Sequence, residues 1–84
     1  MQVNVRLFAR ARELAGADAV RIELPAGAGL PELRRQMQER CPALGALLSH
    51  SAWAIHEEFA PETVTLSDGM EVVLIPPVSG GQEA

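Results

Sequence analysis

The chain has no lysine and no tyrosine, and it has a single cysteine and a single tryptophan. All seven basic residues are arginine, which excludes a lysine Schiff base and a lysine general base. One cysteine cannot form a disulfide within the chain, so nothing in the sequence indicates an oxidising compartment and a cytoplasmic location is expected. His50 and His56 lack a Cys or His partner at zinc-ligand spacing, so no metal site and no bound cofactor are expected.

Long apolar runs and an excess of positive charge are also missing. The longest uncharged stretches are interrupted by proline, glycine, serine or histidine, and none approaches the ~20 apolar residues of a membrane helix. Met1 leads directly into an alternating pattern, so no secretory signal is expected. Eleven acidic residues against seven basic ones give a net charge of −4, which argues against nucleic-acid binding. The composition favours a partner or carrier over an enzyme that acts alone.

The 84 residues are 48% hydrophobic, which is enough for one small packed domain. Alternating apolar residues predict a first strand at 2–8, with Phe8 at its end or on its outer face. A short helix at 9–15 should end at Gly16. The main helix is predicted from Leu30 to Cys41, because Leu30, Leu33, Met37 and Cys41 recur at helical spacing.

The remaining elements follow from the same patterns. A second strand carries Val20, Ile22 and Leu24, and 43–50 is ambiguous between coil and a helical turn. The expected order then continues with a strand around Trp53 and Ile55, a turn at Glu57–Glu58, a short edge strand at Phe59–Val64, a turn at Leu66–Gly69 and a last strand at Met70–Ile75. One main helix laid across a mixed sheet of four to five strands belongs to the α+β class.

The segment after the last strand is the most distinctive part of the chain. Pro76 and Pro77 end the sheet and favour an extended exit, followed by Val78, Ser79, Gly80 and Gly81. Two glycines without side chains suit a segment that threads a narrow channel. Without further information, a frayed terminus is the ordinary alternative.

Three segments resemble the small sulfur-carrier subunits of molybdopterin synthases, the MoaD-like branch of the MoaD/ThiS ubiquitin-like family. They are LFARARELAGAD (Leu7–Asp18), LRRQMQERCPAL (Leu33–Leu44) and LSDGMEVVLIPPVSGG (Leu66–Gly81). The resemblance implies a β-grasp domain at 1–77 and a flexible C-terminal tail at 78–84.

The chemistry implied by this resemblance takes place at the tail. An ATP-dependent activating enzyme would adenylate the Gly81 carboxylate, and a sulfur donor would convert it to a thiocarboxylate. The tail, with Gly80 beside the reactive group, would then enter the large subunit of a heterotetrameric synthase and donate sulfur to precursor Z in molybdenum cofactor biosynthesis. The carrier is then not catalytic alone.

The resemblance also implies a partner-binding surface. Phe8, Phe59 and Ile75 match positions that form an apolar patch in such carriers, Arg12 matches an arginine of the first helix, and Pro76 to Ser79 would be gripped by the partner. The alternative for the three apolar residues is an ordinary core role.

Gln82, Glu83 and Ala84 depart from the family pattern, in which the chain ends at the second glycine. A peptidase could remove them, they could be an artefact, or this copy could have lost sulfur transfer. Two other functions also stay open: sulfur transfer in thiamine, cysteine or tRNA thiolation, and a ubiquitin-like modifier or non-catalytic binding module.

Overall fold

The first strand lies inside the sheet rather than at its border. In the computed structural model, which describes residues 1–77, β1 (Gln2–Leu7) pairs antiparallel with β2 (Ala19–Glu23) and parallel with β5 (Glu71–Ile75). On the other side of β5, β3 (Ala52–Ile55) pairs antiparallel and β4 (Glu58–Phe59) follows as the outermost strand. The sheet order β2-β1-β5-β3-β4 is mixed, and β5 occupies its centre.

Alternation along the strands sends one set of side chains into the core. Val3, Val5 and Leu7 of β1 are buried, as are Val72 and Leu74 of β5. They pack with the apolar side of α2 (Leu30–Arg40), whose buried residues are Leu30, Leu33 and Met37. Apolar residues recur at every second position in the strands and at every third or fourth position in the helix, so each element buries one face only. The predicted α+β, β-grasp architecture with one main helix is confirmed.

The start of α2 is fixed by Gly29. Its N–H donates to the Glu32 side chain (3.0 Å), and its carbonyl accepts from the Leu33 N–H (3.1 Å). A Cβ at Gly29 would lie 2.9 Å from the Val64 carbonyl oxygen, because the residue also bridges to Thr65. This close approach of two backbones explains why a residue without a side chain stands here.

Two short helices complete the fold. α1 (Ala9–Ala15) ends at Gly16 in the left-handed conformation, with φ of 73°, as the sequence predicted. A 3₁₀ turn at Pro42–Leu44 leads into α3 (Gly45–Leu48), so the ambiguous segment is helical, and its Leu44 and Leu48 enter the core.

Several boundaries differ from the predictions, and β1 and β5 are each one residue shorter than predicted. α2 ends at Arg40, so Cys41 caps the helix and is only partly buried against the core. The turn predicted at Glu57–Glu58 is formed by His56 and Glu57, because Glu58 already pairs with Ile55. The edge strand predicted over Phe59–Val64 is limited to Glu58–Phe59, since the chain turns away at a proline that cannot donate to a ladder.

Candidate partner-binding site

The sheet has an outer face, which is the side turned away from α2. Strand pairing places Arg6 opposite Val73, Val73 opposite Ala54, and Ala54 opposite Phe59. Residues that are paired directly share a face, so these four side chains form one row across four strands.

A second row of the outer face lies nearer the carboxyl ends of β1 and β5. Its members Ile75 and Ala52 are paired across β5 and β3. In the parallel register of β1 and β5, the core-facing Leu7 lies opposite Leu74. Phe8 follows Leu7 and so falls on the outer face beside Ile75. The structure therefore brings Phe8, Ile75 and Phe59 onto one face, as the sequence patterns and the resemblance suggested.

The exposure of these side chains distinguishes them from the core. Phe59 is 73% exposed and Phe8 is 47% exposed, and they are the two exposed large hydrophobic residues among 1–77. Ile75 is half-buried. The alternative of an ordinary core role is therefore wrong for both phenylalanines. Ala52 and Ala54 have small side chains and lie on the same face, so the two phenylalanine side chains project above the apolar surface that these alanines form.

Arg6 is the residue on this face that sequence reasoning missed. Its guanidinium carbon lies 5.8 Å from the centre of the Phe8 ring, and its Nη1 lies 3.4 Å from Glu71 Oε2. Its position on the polar side of the β1 alternation was visible in the sequence. The parallel pairing that sets β1 beside β5, and so Arg6 beside Val73, was not.

The exit of the tail adjoins this face. Because β1 and β5 are parallel, their carboxyl ends meet at one border of the sheet, which places Phe8 next to the chain leaving Ile75. Pro76 is half-buried and Pro77 is exposed. Val78, Ser79, Gly80 and Gly81 lie outside the described residues.

Arg12 lies on α1, which starts at the same border of the sheet. Its Nη1 is 3.5 Å from Asp18 Oδ1, and both side chains are largely exposed. Exposed pairs of this kind contribute little to stability, so the guanidinium can exchange partners at low cost.

Neither a metal-binding cluster nor a membrane-spanning helix is found among residues 1–77. Within 1–77, no group of three His, Cys, Asp or Glu side chains is arranged to hold a metal. Over the same range, no helix has the length and apolar character needed to cross a membrane. Glu32 has its pKa lowered, chiefly by the hydrogen bond from the Gly29 backbone, but it lies at the start of α2, away from the outer face.

Comparison with known proteins adds independent information. The ThiS family profile matches residues 5–81. A molybdopterin synthase sulfur carrier subunit from Chlamydomonas reinhardtii is 37% identical over 83 residues, covering 96% of this chain and 100% of the relative.

The fold is also similar to those of solved structures. The crystal structure of SAMP1 from Haloferax volcanii superposes with a TM-score of 0.82 at 29% identity, covering 96% of this chain and 100% of that one. A chain from the protein–protein complex of subunits 1 and 2 of molybdopterin-converting factor from Helicobacter pylori 26695 has a TM-score of 0.69 at 30% identity, with coverage of 96% and 100%.

Proposed function

The chain belongs to the ThiS family, and we propose that it is the sulfur-carrier subunit of a molybdopterin synthase. The observation that carries this proposal is the near-complete match to a relative that bears this name, at 37% identity. The two-subunit complex from Helicobacter pylori supports a large synthase subunit as partner. The carrier works in the cytoplasm, in keeping with a chain that has only one cysteine.

The reactive group is the carboxylate of Gly81 once Gln82, Glu83 and Ala84 have been removed. An internal peptide bond at Gly81 offers no free carboxylate, so a peptidase must act before the activating enzyme. The carboxylate attacks ATP and releases pyrophosphate, so that AMP becomes a good leaving group. Sulfur at the sulfide level, delivered by a donor, then displaces AMP to leave a thiocarboxylate. Transfer to precursor Z takes place inside the large subunit, which supplies the acid–base groups.

The outer face is the surface on which the large subunit docks. A phenylalanine presents about 200 Å² when fully exposed. At 73% exposure, Phe59 offers about 150 Å² for burial, roughly 3 to 4 kcal/mol as an upper limit at about 25 cal/mol per Å². Phe8 beside the tail exit is the second anchor, and Arg6 and Arg12 provide polar contacts at the rim.

Purification from the native cell tests the function directly. Recovery with a large synthase subunit is expected, whereas recovery with a thiazole synthase, or as covalent conjugates on other proteins, would refute the assignment. Intact-mass analysis of the same sample should show a chain ending at Gly81, with a fraction in which sulfur replaces one oxygen. A chain that retains Gln82–Ala84 in cells making the cofactor would contradict the sulfur-transfer step.

The docking surface is tested separately with Phe59→Ala and Phe8→Asp. Each should weaken binding to the large subunit by at least about tenfold while the domain stays folded. Arg35→Ala, an exposed change on α2 at the opposite side of the sheet, is the matched control and should bind normally. Normal binding by both phenylalanine variants would remove the outer face from the interface.

A further inference from the structure

The sheet has an open border at β2. The order β2-β1-β5-β3-β4 gives β2 a neighbour on one side only within residues 1–77. Hydrogen bonds from the Leu7 N–H to the Asp18 carbonyl and from the Leu24 N–H to the Met1 carbonyl, both 2.8 Å, fix the antiparallel pattern. Every second residue of β2 therefore directs its N–H and C=O away from β1. These outward residues are Ala19, Arg21 and Glu23.

This border is poorly protected compared with the opposite one. β4 at the far side is only two residues long, whereas β2 has five residues. A proline follows each strand at the same distance, Pro61 after β4 and Pro25 after β2, so the two borders differ in strand length. Among residues 1–77, the side chain that hydrogen-bonds to the open border of β2 is Arg40, whose Nη1 donates to the Arg21 carbonyl oxygen at 3.1 Å. A regular strand border with unpaired backbone groups is a template for another strand.

The charged residues of β2 determine which partner strand, and in which register, can pair with its open border. Arg21 and Glu23 lie on the outer face of the same strand, two residues apart. If a second copy of β2 runs antiparallel with its centre at Ile22, Arg21 of each copy stands opposite Glu23 of the other. The outward backbone groups of Arg21 and Glu23 then exchange hydrogen bonds at both places. Other registers are worse, because centring on Arg21 opposes two guanidinium groups, and a shift by one residue turns the bonding groups away.

We propose that β2 pairs with β2 of a second copy of this chain, in the Ile22-centred register, to form a two-fold symmetric ten-stranded sheet. The inference is independent of the proposed function. The two-fold axis is perpendicular to the sheet, so both outer faces lie on one side and both copies of α2 lie on the other. Each tail exit stays free, at opposite ends of the dimer.

We expect the β2–β2 dimer to be weak. Ile22 is already buried within each copy, so pairing adds backbone hydrogen bonds but little apolar burial. The Glu23 carboxylate already lies 3.4 Å from the Met1 ammonium nitrogen and accepts from Gln2 Nε2 at 3.1 Å, so each ion pair with Arg21 of the other copy is shared with these contacts. Arg40 must also release the Arg21 carbonyl before a second strand can bind it. The dimer therefore forms at high protein concentration and responds to single changes at the border.

Sedimentation of the full chain at concentrations up to about 1 mM tests the proposal. A reversible monomer–dimer equilibrium is expected. Arg21→Glu places like charges opposite each other twice and should weaken the dimer by about tenfold. The double change R21E/E23R restores both pairs with reversed sign and should recover most of the loss. Arg40→Ala should strengthen the dimer, and Arg35→Glu, with the same charge change on an exposed part of α2, should leave it unchanged.

Amide hydrogen exchange gives the second readout. The Arg21 and Glu23 amides should exchange rapidly at low concentration and become protected as concentration rises. Exchange that is fast at every concentration, or a chain that stays monomeric, overturns the proposal. Protection of these amides that persists on dilution also overturns it, because the border is then covered within one chain. Failure of R21E/E23R to restore association would reject the register.

Discussion

The two-residue turn between β3 and β4 provides the sharpest test of the backbone. His56 and Glu57 have φ of 54° and 68°, so both occupy the left-handed region without being glycine. This is the geometry of the tight hairpin turn in which asparagine and glycine are preferred. We expect Glu57→Gly to stabilise the domain, and Glu57→Ala to serve as its control. Both variants remove the carboxylate, so their difference isolates the backbone effect.

The magnitude follows from the conformation. A left-handed residue with a Cβ carries about 1–2 kcal/mol of steric energy. Glycine removes that energy but adds about 0.5–1 kcal/mol of freedom to the unfolded chain. The net advantage of Glu57→Gly over Glu57→Ala is therefore about 0.5–1 kcal/mol in the free energy of unfolding. For a domain of this size, that corresponds to a few degrees in Tm, up to about 8 °C.

Trp53 makes the measurement simple. It is the only tryptophan, there is no tyrosine, and its side chain is 2% exposed in the core. Urea unfolding followed by its fluorescence should show a higher midpoint for Glu57→Gly than for Glu57→Ala, with an unchanged dependence on denaturant. Equal midpoints, or a lower one for the glycine variant, would show that no strain is held in this turn.

Three further outcomes are expected. Gly29→Ala should destabilise by more than about 1 kcal/mol in the same assay, because the new Cβ meets the Val64 carbonyl at 2.9 Å; unchanged stability would mean that the two backbones separate freely. Leu74→Ala should cost about 2–5 kcal/mol as a fully buried residue of the central strand, and a smaller loss measured by urea unfolding would show that the core collapses around it. Glu32→Gln should flatten the acid dependence of stability: the lowered pKa of Glu32 stabilises the fold above its ordinary value of 4.5, and this contribution is lost as pH falls. Parallel acid titrations of both proteins would contradict this.

The strands and the main helix could be predicted from the sequence because their apolar residues recur with the period of a strand or of a helix. Val3, Val5 and Leu7 revealed β1, and Leu30, Leu33 and Met37 revealed α2. The sequence patterns placed the hairpin turn one residue too late, at Glu57–Glu58, because His56 and Glu57 are unusual residues for a left-handed turn. Where strands lie beside one another depends on long-range pairing, which alternation does not encode.

The candidate site was predictable in part. Alternation placed Phe8, Phe59 and Ile75 outward or at the end of an element, and the resemblance assigned these three residues and Arg12 to a partner-binding surface. Arg6 joins them only because β1 and β5 are parallel neighbours, a fact of topology. The roles of Gly80 and Gly81 remain predictions, because these residues lie outside the described part of the chain.

The central position of β5 determines when this protein can fold during its synthesis. β1 with β2, and β3 with β4, can each form a local hairpin early, but only β5 joins them into one sheet. The two halves must therefore wait until Ile75 has left the ribosome, and completion depends on contacts between residues about seventy positions apart, which slows folding. A polypeptide interrupted before Glu71 would carry two hairpins whose inner borders are both unpaired, and such a fragment should aggregate or be degraded rather than accumulate.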